Sequence, residues 1–286
     1  MPVRQPAVAG RFYPADRARC IREIERCLPD SLPSDLPERI VGGIVPHAGW
    51  AFSGPTAAKV FSAIASQFTP DTVVLLSAMH ARGASQPALY GSGAWRTPLG
   101  EAPVDEELAQ VLLSTDGEFV DRPAAHAGEH SAEVQVPFIQ HLFPEAQILP
   151  IMMPPDQEAV SAGKVLGQTL AASDRRVVAV GTSDLTHYGP SFYGFAPAGT
   201  GQDALDWVRE NDRRVIDLML DLKARKIVPE TTAHHNACGG GAIAATVAAA
   251  RKLGAEEGVL LEYTTSYDVR PQGVPSDFVG YAAVVF

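Results

Sequence analysis

The sequence predicts an α/β protein in which buried strands alternate with helices. Three continuous hydrophobic runs are typical of parallel strands covered on both faces, because a half-exposed strand would alternate apolar and polar residues. Between the runs, apolar residues recur at helical spacing. The chain has no linker, charge block or repeat of fixed period, so we expect one domain over residues 1–286. The three strands are predicted at residues 72–77, 147–152 and 177–181.

The other elements are predicted from local signals at their ends. Pro29 ends a helix that runs through Cys27, and Pro46 ends a strand because proline has no N–H to donate to a sheet. Glycine and proline within residues 88–99 indicate a hairpin or an excursion rather than a crossover helix. Further helices are expected at residues 55–68, 104–113, 157–171, 204 to about 225, and from just after Cys238 to near Gly254, with closing strands at 260–265 and 278–286.

The charge of the chain argues against two classes of partner. At a formal net charge of −10 and a pI near 5.2, the field of the protein repels nucleic acid and anionic membrane surfaces. Residues 1–10 lack the apolar core of a signal peptide, and the alanine-rich run at 241–250 is too short to cross a bilayer. We therefore expect a cytoplasmic protein that binds neither nucleic acid nor membrane.

The three cysteines have different expected roles. Cys20 and Cys27 lie seven positions apart on a predicted helix, which separates their Cα atoms by roughly 10 Å and prevents a disulfide. Both are expected to pack inertly in the core. Cys238 lies at or just before the start of the alanine-rich helix, where the partial positive charge of the helix favours a thiolate. Three glycines follow it and leave room for the close approach of a ligand or of another backbone.

Histidines and an aspartate follow three of the predicted strands. His47 and His80 each come after a hydrophobic strand, and Asp184 with His187 comes after a third. Open α/β sheets bind ligands beyond the carboxyl ends of their strands. Two imidazoles with a thiolate or a carboxylate, leaving other positions open, make the ligand set of a catalytic metal site. Each residue also has a structural interpretation: a buried hydrogen-bonded histidine, or Asp184 as an N-cap that binds His187.

Two further features each leave alternatives open. His130 and Glu133 are three positions apart, so on a helix the carboxylate could orient the imidazole. Equally, Ser131 and Glu133 could cap the first turn of a helix. The aromatic pair Phe12 and Tyr13 could line a pocket or pack in the core.

Six short segments point to a known family: Ala9–Pro14, Pro46–Trp50, Glu129–Gln135, Ser183–Gly189, Asn236–Gly239 and Val279–Ala283. They resemble the signature segments of the Memo family. Because they occur in the family's order from one end of the chain to the other, the resemblance covers essentially all of it. In prokaryotes the family is also called AmmeMemoRadiSam system protein B, a name that implies association with a radical-SAM protein and an AMMECR-type protein.

The resemblance implies the fold of the LigB-type class III extradiol dioxygenases, a layered α/β sandwich around a mostly parallel mixed sheet. It also implies a metal site in which His47, His80 and Cys238 are the ligands. Asp184 and His187 would then be the catalytic residues beside the metal, with His187 as acid and base. The pocket is expected to be lined by Phe12, Trp50, Phe52 and His130.

Cys238 is a departure from the dioxygenases, which have a carboxylate at that position. A thiolate is softer and more easily oxidised, so it favours iron (Fe2+) or copper in a reduced state and disfavours ring-cleaving oxygenation. Zinc could substitute for either metal. We therefore expect a metal-binding, redox-active protein whose substrate, a small molecule or a peptide, is left open. The alternatives are a non-haem Fe(II) extradiol-type dioxygenase and a non-catalytic binding module for phosphorylated or planar ligands.

Overall fold

A computed structural model of the chain describes residues 2–80, 85–115, 117–192 and 194–286. Its strands are β1 (Val3–Arg4), β2 (Gly42–Val45), β3 (Thr72–Ser77), β4 (Ala88–Leu89), β5 (Ala94–Thr97), β6 (Gly100–Pro103), β7 (Val120–Asp121), β8 (Gln147–Met152), β9 (Val177–Thr182), β10 (His187–Tyr188), β11 (Val259–Thr265) and β12 (Phe278–Val285). Its helices are α1 (Arg17–Cys27), α2 (Trp50–Gln67), α3 (Glu106–Leu113), α4 (Val136–Leu142), α5 (Glu158–Ala171), α6 (Gln202–Leu220), α7 (Ala224–His234), α8 (Gly240–Lys252) and α9 (Ser266–Val269).

Among these described residues, nine strands form one large mixed sheet in the order β10-β12-β2-β9-β3-β8-β4-β7, with β11 paired to β12. The central strands β2, β9, β3 and β8 run parallel to one another. They are flanked by β12 and β4, which run antiparallel to β2 and β8. A small separate sheet has the order β1-β5-β6. The predicted α/β fold, layered around a mixed sheet, is therefore confirmed, and its parallel strands are the central ones.

Helices cover both faces of the large sheet. Consecutive strand residues point to opposite sides. In β2, a Cβ added at Gly43 would lie 2.6 Å from Val60 of α2, whereas one added at Gly42 would lie 3.8 Å from Thr246 of α8. Helices α2 and α8 therefore pack on opposite faces. This cover explains why β3, β8 and β9 are hydrophobic along nearly all of their length and stand out in the sequence.

The predictions for β3 and β8 match the observed bounds, but two helix predictions are wrong in extent. Helix α2 begins at Trp50, ahead of Pro55. Pro55 and Ala51 are both exposed, so water can satisfy the Ala51 carbonyl that the missing proline N–H leaves free, and the helix continues. The predicted helix from 204 to about 225 is split, because Leu222 adopts a left-handed φ of 53° between α6 and α7.

Three smaller expectations concern the hairpin, the two cysteines of α1 and the presence of a helix that could span a membrane. Strands β5 and β6 form an antiparallel hairpin, close to the predicted position. Cys20 and Cys27 are free and buried on α1, and burial raises the pKa of each thiol to about 12, so both are inert as predicted. None of the described helices is both long and apolar enough to span a membrane.

Candidate metal centre

The carboxyl ends of three parallel strands place the predicted site residues side by side. Strands β2, β9 and β3 are neighbours in the sheet. His47, Asp184 and His80 follow these strands, each within three positions of the strand end. Because adjacent parallel strands end at the same edge of a sheet, the three residues lie along one edge, where α/β proteins bind ligands.

Three histidines form a compact cluster at this edge. One ring nitrogen from each of His47, His80 and His130 lies within 4.8 Å of the others. The ring centroids are 5.0 Å apart for His47 and His80, and 4.7 Å apart for His80 and His130. From the sequence, His130 was predicted to line the pocket or to pair with Glu133, and not to be a metal ligand. Its position makes it a third imidazole within reach of a shared ion.

Cys238 reaches the same cluster from a distant part of the chain. It lies two residues before α8, and its Sγ is 3.2 Å from Nε2 of His47. The thiol is also close enough to His80 to raise the pKa of that imidazole. Donor atoms that share one ion at bond lengths of about 2.0–2.3 Å lie roughly 3–4 Å apart, so the spacing suits joint coordination. Cys238 is thus beside His47, whereas the donor atoms that lie within 4.8 Å of one another belong to His47, His80 and His130.

Glu129 is the site residue that the sequence interpretation missed. This carboxylate is fully buried, and its Oε1 accepts hydrogen bonds from Nδ1 of His80 at 3.0 Å and from the backbone N–H of Ser131 at 2.9 Å. Its Oε2 accepts from the backbone N–H of His80 at 2.9 Å, and Oε1 is 3.6 Å from Nδ1 of His130. A carboxylate in this position fixes the ring of a metal-binding histidine. Its only sequence signal is its place beside His130 in a family-like segment.

Both interpretations of the His130–Glu133 pair are therefore wrong. Glu133 neither orients the imidazole nor caps a helix: its carboxylate accepts hydrogen bonds from Arg4 at 2.7 Å and from the Tyr13 hydroxyl at 2.9 Å. The backbone N–H groups of residues 7 and 8 donate to it as well. Glu133 thus anchors the N-terminal segment against the core.

Arg4 ties that segment to the loop that carries the site. Its side chain is almost fully buried, and its guanidinium donates to the carbonyls of His126 at 2.8 Å and Glu129 at 2.6 Å, besides the bond to Glu133. The guanidinium also lies 4.1 Å above the ring of Trp95. One buried cation therefore holds both ends of residues 126–133, which include Glu129 and His130.

Asp184 supports the backbone of the His47 loop. Its Oδ1 accepts hydrogen bonds from the backbone N–H groups of His47 at 2.7 Å and Ala48 at 3.2 Å. The carboxyl group is 4% exposed, and burial raises its pKa above the usual range for aspartate. Asp184 therefore positions His47 through the main chain.

His187 has one ring nitrogen free to exchange protons. Its Nδ1 lies 3.0 Å from the Leu185 carbonyl, so this nitrogen donates a proton and Nε2 keeps its lone pair. The structural interpretation in which His187 binds Asp184 is therefore wrong, because the partner is the Leu185 carbonyl. His187 lines both cavities beside the site, and an imidazole in this state can act as a base.

The surroundings of the cluster shift the pKa values of His47 and His80 in opposite directions. Burial lowers the pKa of His47 well below its usual value, which leaves the neutral imidazole that a metal requires. Burial acts in the same direction on His80, but the neighbouring Cys238 and Glu129 outweigh it and raise the pKa of His80 to about 10. Glu129 therefore favours a proton on Nδ1 of His80, which leaves Nε2 as the nitrogen that an ion would use.

Two cavities flank the cluster and share His187. The first has a volume of about 630 Å³ and is lined in part by Phe12, Phe52, His130 and Asp184. The second has a volume of about 730 Å³ and reaches His80 and Cys238. Volumes of this size hold small organic molecules.

Trp50, expected in the pocket wall, packs in the core. Its ring centroid lies 4.6 Å from that of Phe138 and 5.2 Å from that of Tyr13, and its Nε1 donates to the Val134 carbonyl. Of the aromatic pair that was left open, Tyr13 is 3% exposed in the core and Phe12 lines the first cavity.

Comparisons with known proteins agree with the sequence resemblance. A family model described as Memo-like protein matches residues 4–285. A MEMO1 family protein of Methanopyrus kandleri is 39% identical over 295 aligned residues, which cover 99% of this chain and 98% of the relative. A MEMO1 family protein of Thermococcus onnurineus is 40% identical over 292 residues and 99% of each chain. A solved structure, an uncharacterized protein of Escherichia coli K12, has a TM-score of 0.55 at 12% identity over 87% of this chain and 100% of that one.

Proposed function

The chain belongs to the Memo-like protein family, and we propose that it binds an iron or copper ion through His47, His80 and Cys238. His130 is the nearest further imidazole, and zinc would bind the same atoms as a redox-inactive substitute. The observation that carries the proposal is the distance of 3.2 Å between Sγ of Cys238 and Nε2 of His47, beside the meeting point of the imidazoles.

The chemistry of the residues present fits such an ion. Imidazole nitrogens and a cysteine sulfur are ligands of borderline and soft metals. Nε2 of His47 lies 3.2 Å from Sγ of Cys238, so this nitrogen and the sulfur face a common point that one ion could occupy. Glu129 holds Nδ1 of His80, the arrangement by which carboxylates orient metal-binding histidines.

The neighbouring residues would hold the ligands and move protons. A bound iron or copper ion would supply one-electron redox chemistry. His187 can accept a proton from a molecule in either cavity, because its Nε2 lone pair is preserved by the bond from Nδ1 to the Leu185 carbonyl. Asp184 keeps the His47 loop in place and is a positioning residue in this proposal.

Metal titration of protein prepared without metal and without oxygen tests the proposal. We expect the wild type to bind about one equivalent of Fe(II) or Cu(I), and Cys238→Ser and His47→Ala each to lose at least about tenfold in affinity. His141→Ala is the matched control, because His141 lies in the last turn of α4 and outside the cluster. Wild-type stoichiometry and affinity in both site variants would contradict the ligand assignment.

The dioxygenase alternative has less support from this site. The resemblance gives those enzymes a carboxylate as the third ligand. Here Glu129 and Asp184 use their oxygens to accept hydrogen bonds from backbone N–H groups. In the present proposal Cys238, beside His47, is the third ligand instead. Oxygen uptake with Fe(II) and a varied panel of catechols tests this alternative. Association with a radical-SAM protein and an AMMECR-type protein stays a prediction.

A further inference from the structure

We propose that the first cavity binds a small aromatic carboxylate, with Arg270 as the partner of the carboxylate group. The proposal rests on the proposed function in one respect: it names a ligand class for the cavity that opens onto the same site. Arg270, Phe12 and Phe52 line this cavity together with His130 and His187, so a ligand held by Arg270 would also meet the imidazoles.

The shape and walls of the cavity suit a flat apolar body. Its volume of about 630 Å³ falls within the range of small-molecule sites. The rings of Phe12 and Phe52 are only half-buried, although large aromatic side chains that serve packing alone are usually covered. Aromatic walls of this kind favour a ring that can stack or approach edge-on.

Arg270 supplies the charge that selects an anion. Among the described residues, no carboxylate lies within ion-pair distance of its guanidinium, whereas Arg209 close by is paired with Asp268. The guanidinium lies 5.1 Å from the centroid of Phe52, and the backbone N–H of Arg270 donates to the Ser266 carbonyl. Arg270 is exposed, and its guanidinium lies over an aromatic wall with donors available. A planar guanidinium binds a carboxylate through two parallel hydrogen bonds.

Two carboxyl groups in the same wall limit the charge that the cavity accepts. Asp277 already accepts from the backbone N–H of Ser191, and Asp184 accepts from the His47 loop. The chain as a whole carries a formal net charge of −10. A single guanidinium in this surrounding balances one negative charge better than two, so a monoanionic carboxylate fits better than a phosphate dianion.

The test is a set of calorimetric titrations of metal-free wild-type protein, in which no ion can attract the carboxylate. The probes are benzoate, benzamide, acetate, benzylamine and phenyl phosphate. We expect benzoate to bind at least about tenfold tighter than each of the others. Arg270→Gln should reduce benzoate binding to the level of benzamide, and Arg270→Lys should retain part of it. Arg213→Gln is the control, because it removes the same charge from the exposed face of α6 and should change nothing.

Several results would overturn the proposal. Unchanged benzoate binding in folded Arg270→Gln would exclude this residue, and equal binding of acetate would exclude the aromatic walls. Tighter binding of phenyl phosphate or benzylamine would contradict the carboxylate class. Metal titration of the same preparation separates this proposal from the proposed function: metal binding without benzoate binding refutes only the ligand class, and the reverse result refutes only the metal site.

Discussion

His126 gives the sharpest test of the physical reasoning, because its effect on stability has a defined sign and size. The ring is fully buried, and its Nε2 lies 3.0 Å from the Ala88 carbonyl, so Nε2 is the donor. Nδ1 is buried with no hydrogen-bond partner among the described residues. Protonation would place a charge on this buried ring, whose centroid lies 5.9 Å from that of Tyr90 and 5.8 Å from that of Trp95. We therefore choose His126→Gln as the perturbation, because its amide can still donate to the Ala88 carbonyl.

The magnitude follows from the difference in proton affinity between the folded and unfolded states. Burial, helped by the nearby charge of Arg4, lowers the pKa of His126 to about 4, against about 6.5 for an unperturbed histidine. Below pH 6.5 the unfolded chain binds a proton that the folded protein does not. The contribution to stability is therefore complete above pH 6.5 and is lost as the pH falls towards 4. A pKa difference of about 2.5 corresponds to roughly 3 kcal/mol.

Urea unfolding of wild type and His126→Gln between pH 7.5 and pH 4 measures this difference. Other groups titrate in both proteins, so the informative quantity is the wild-type free energy of unfolding minus that of the variant. We expect this quantity to fall by roughly 3 kcal/mol from neutral to acid pH. His141→Gln changes a histidine near the end of α4, and its free energy of unfolding should depend on pH as that of the wild type does. Parallel profiles for wild type and His126→Gln would refute the reasoning.

Three further predictions concern the site backbone, the N-terminal clamp and helix packing. Asp184→Asn should keep the stability of the wild type in urea, because an amide oxygen still accepts from the backbone N–H groups of residues 47 and 48. Asp184→Ala should lose about 2 kcal/mol. Equal losses in the two variants would contradict the role of Asp184 in supporting this loop. Arg4→Lys and Arg175→Lys should each lose about 2 kcal/mol of stability. Only Arg4→Lys should also weaken zinc binding, because Arg175 precedes β9 and lies at the end of the sheet away from the site. Equal zinc affinity in the two variants would contradict this prediction. Gly163→Ala should lower the melting temperature and the free energy of unfolding, the latter by about 1–3 kcal/mol, because its Cβ would lie 2.3 Å from a backbone oxygen of α8. A Cβ at Gly128 would meet nothing within 4 Å, so Gly128→Ala should leave both quantities unchanged.

The sheet could be predicted from the sequence because its central strands are buried on both faces. Strands of six residues that are apolar along most of their length have few alternatives, and β3 and β8 were located at their observed bounds. Once these strands are assigned, the rule that parallel strands present their carboxyl ends together places His47, His80 and Asp184 at one edge. The residue types left a thiolate or a carboxylate open as the third ligand, and the resemblance to the Memo family selected Cys238. No local pattern links Cys238 to the histidines.

The partners of the charged residues could not be read from spacing. The i,i+3 rule for His130 and Glu133 assumes a helix, but the chain there is a turn followed by a 3-10 segment at Glu133–Gln135. The neighbouring Glu129 therefore faces His80 and His130, while Glu133 turns towards Arg4, far away in sequence. The same limit applies to Trp50, which periodicity cannot assign to the core or to a cavity wall.

Local sequence was sufficient to predict the strands that are buried on both faces and the element ends that proline marks. It was also sufficient to predict which strands are followed by histidines. Tertiary structure alone decided which carboxylate meets which imidazole and where the third imidazole comes from. It also decided that Arg270, in the wall of the first cavity, has no acidic partner among the described residues. The reason is physical: burial and proline act over a few residues of one segment, whereas pairing of charges depends on distances between segments that only the packed chain brings within reach.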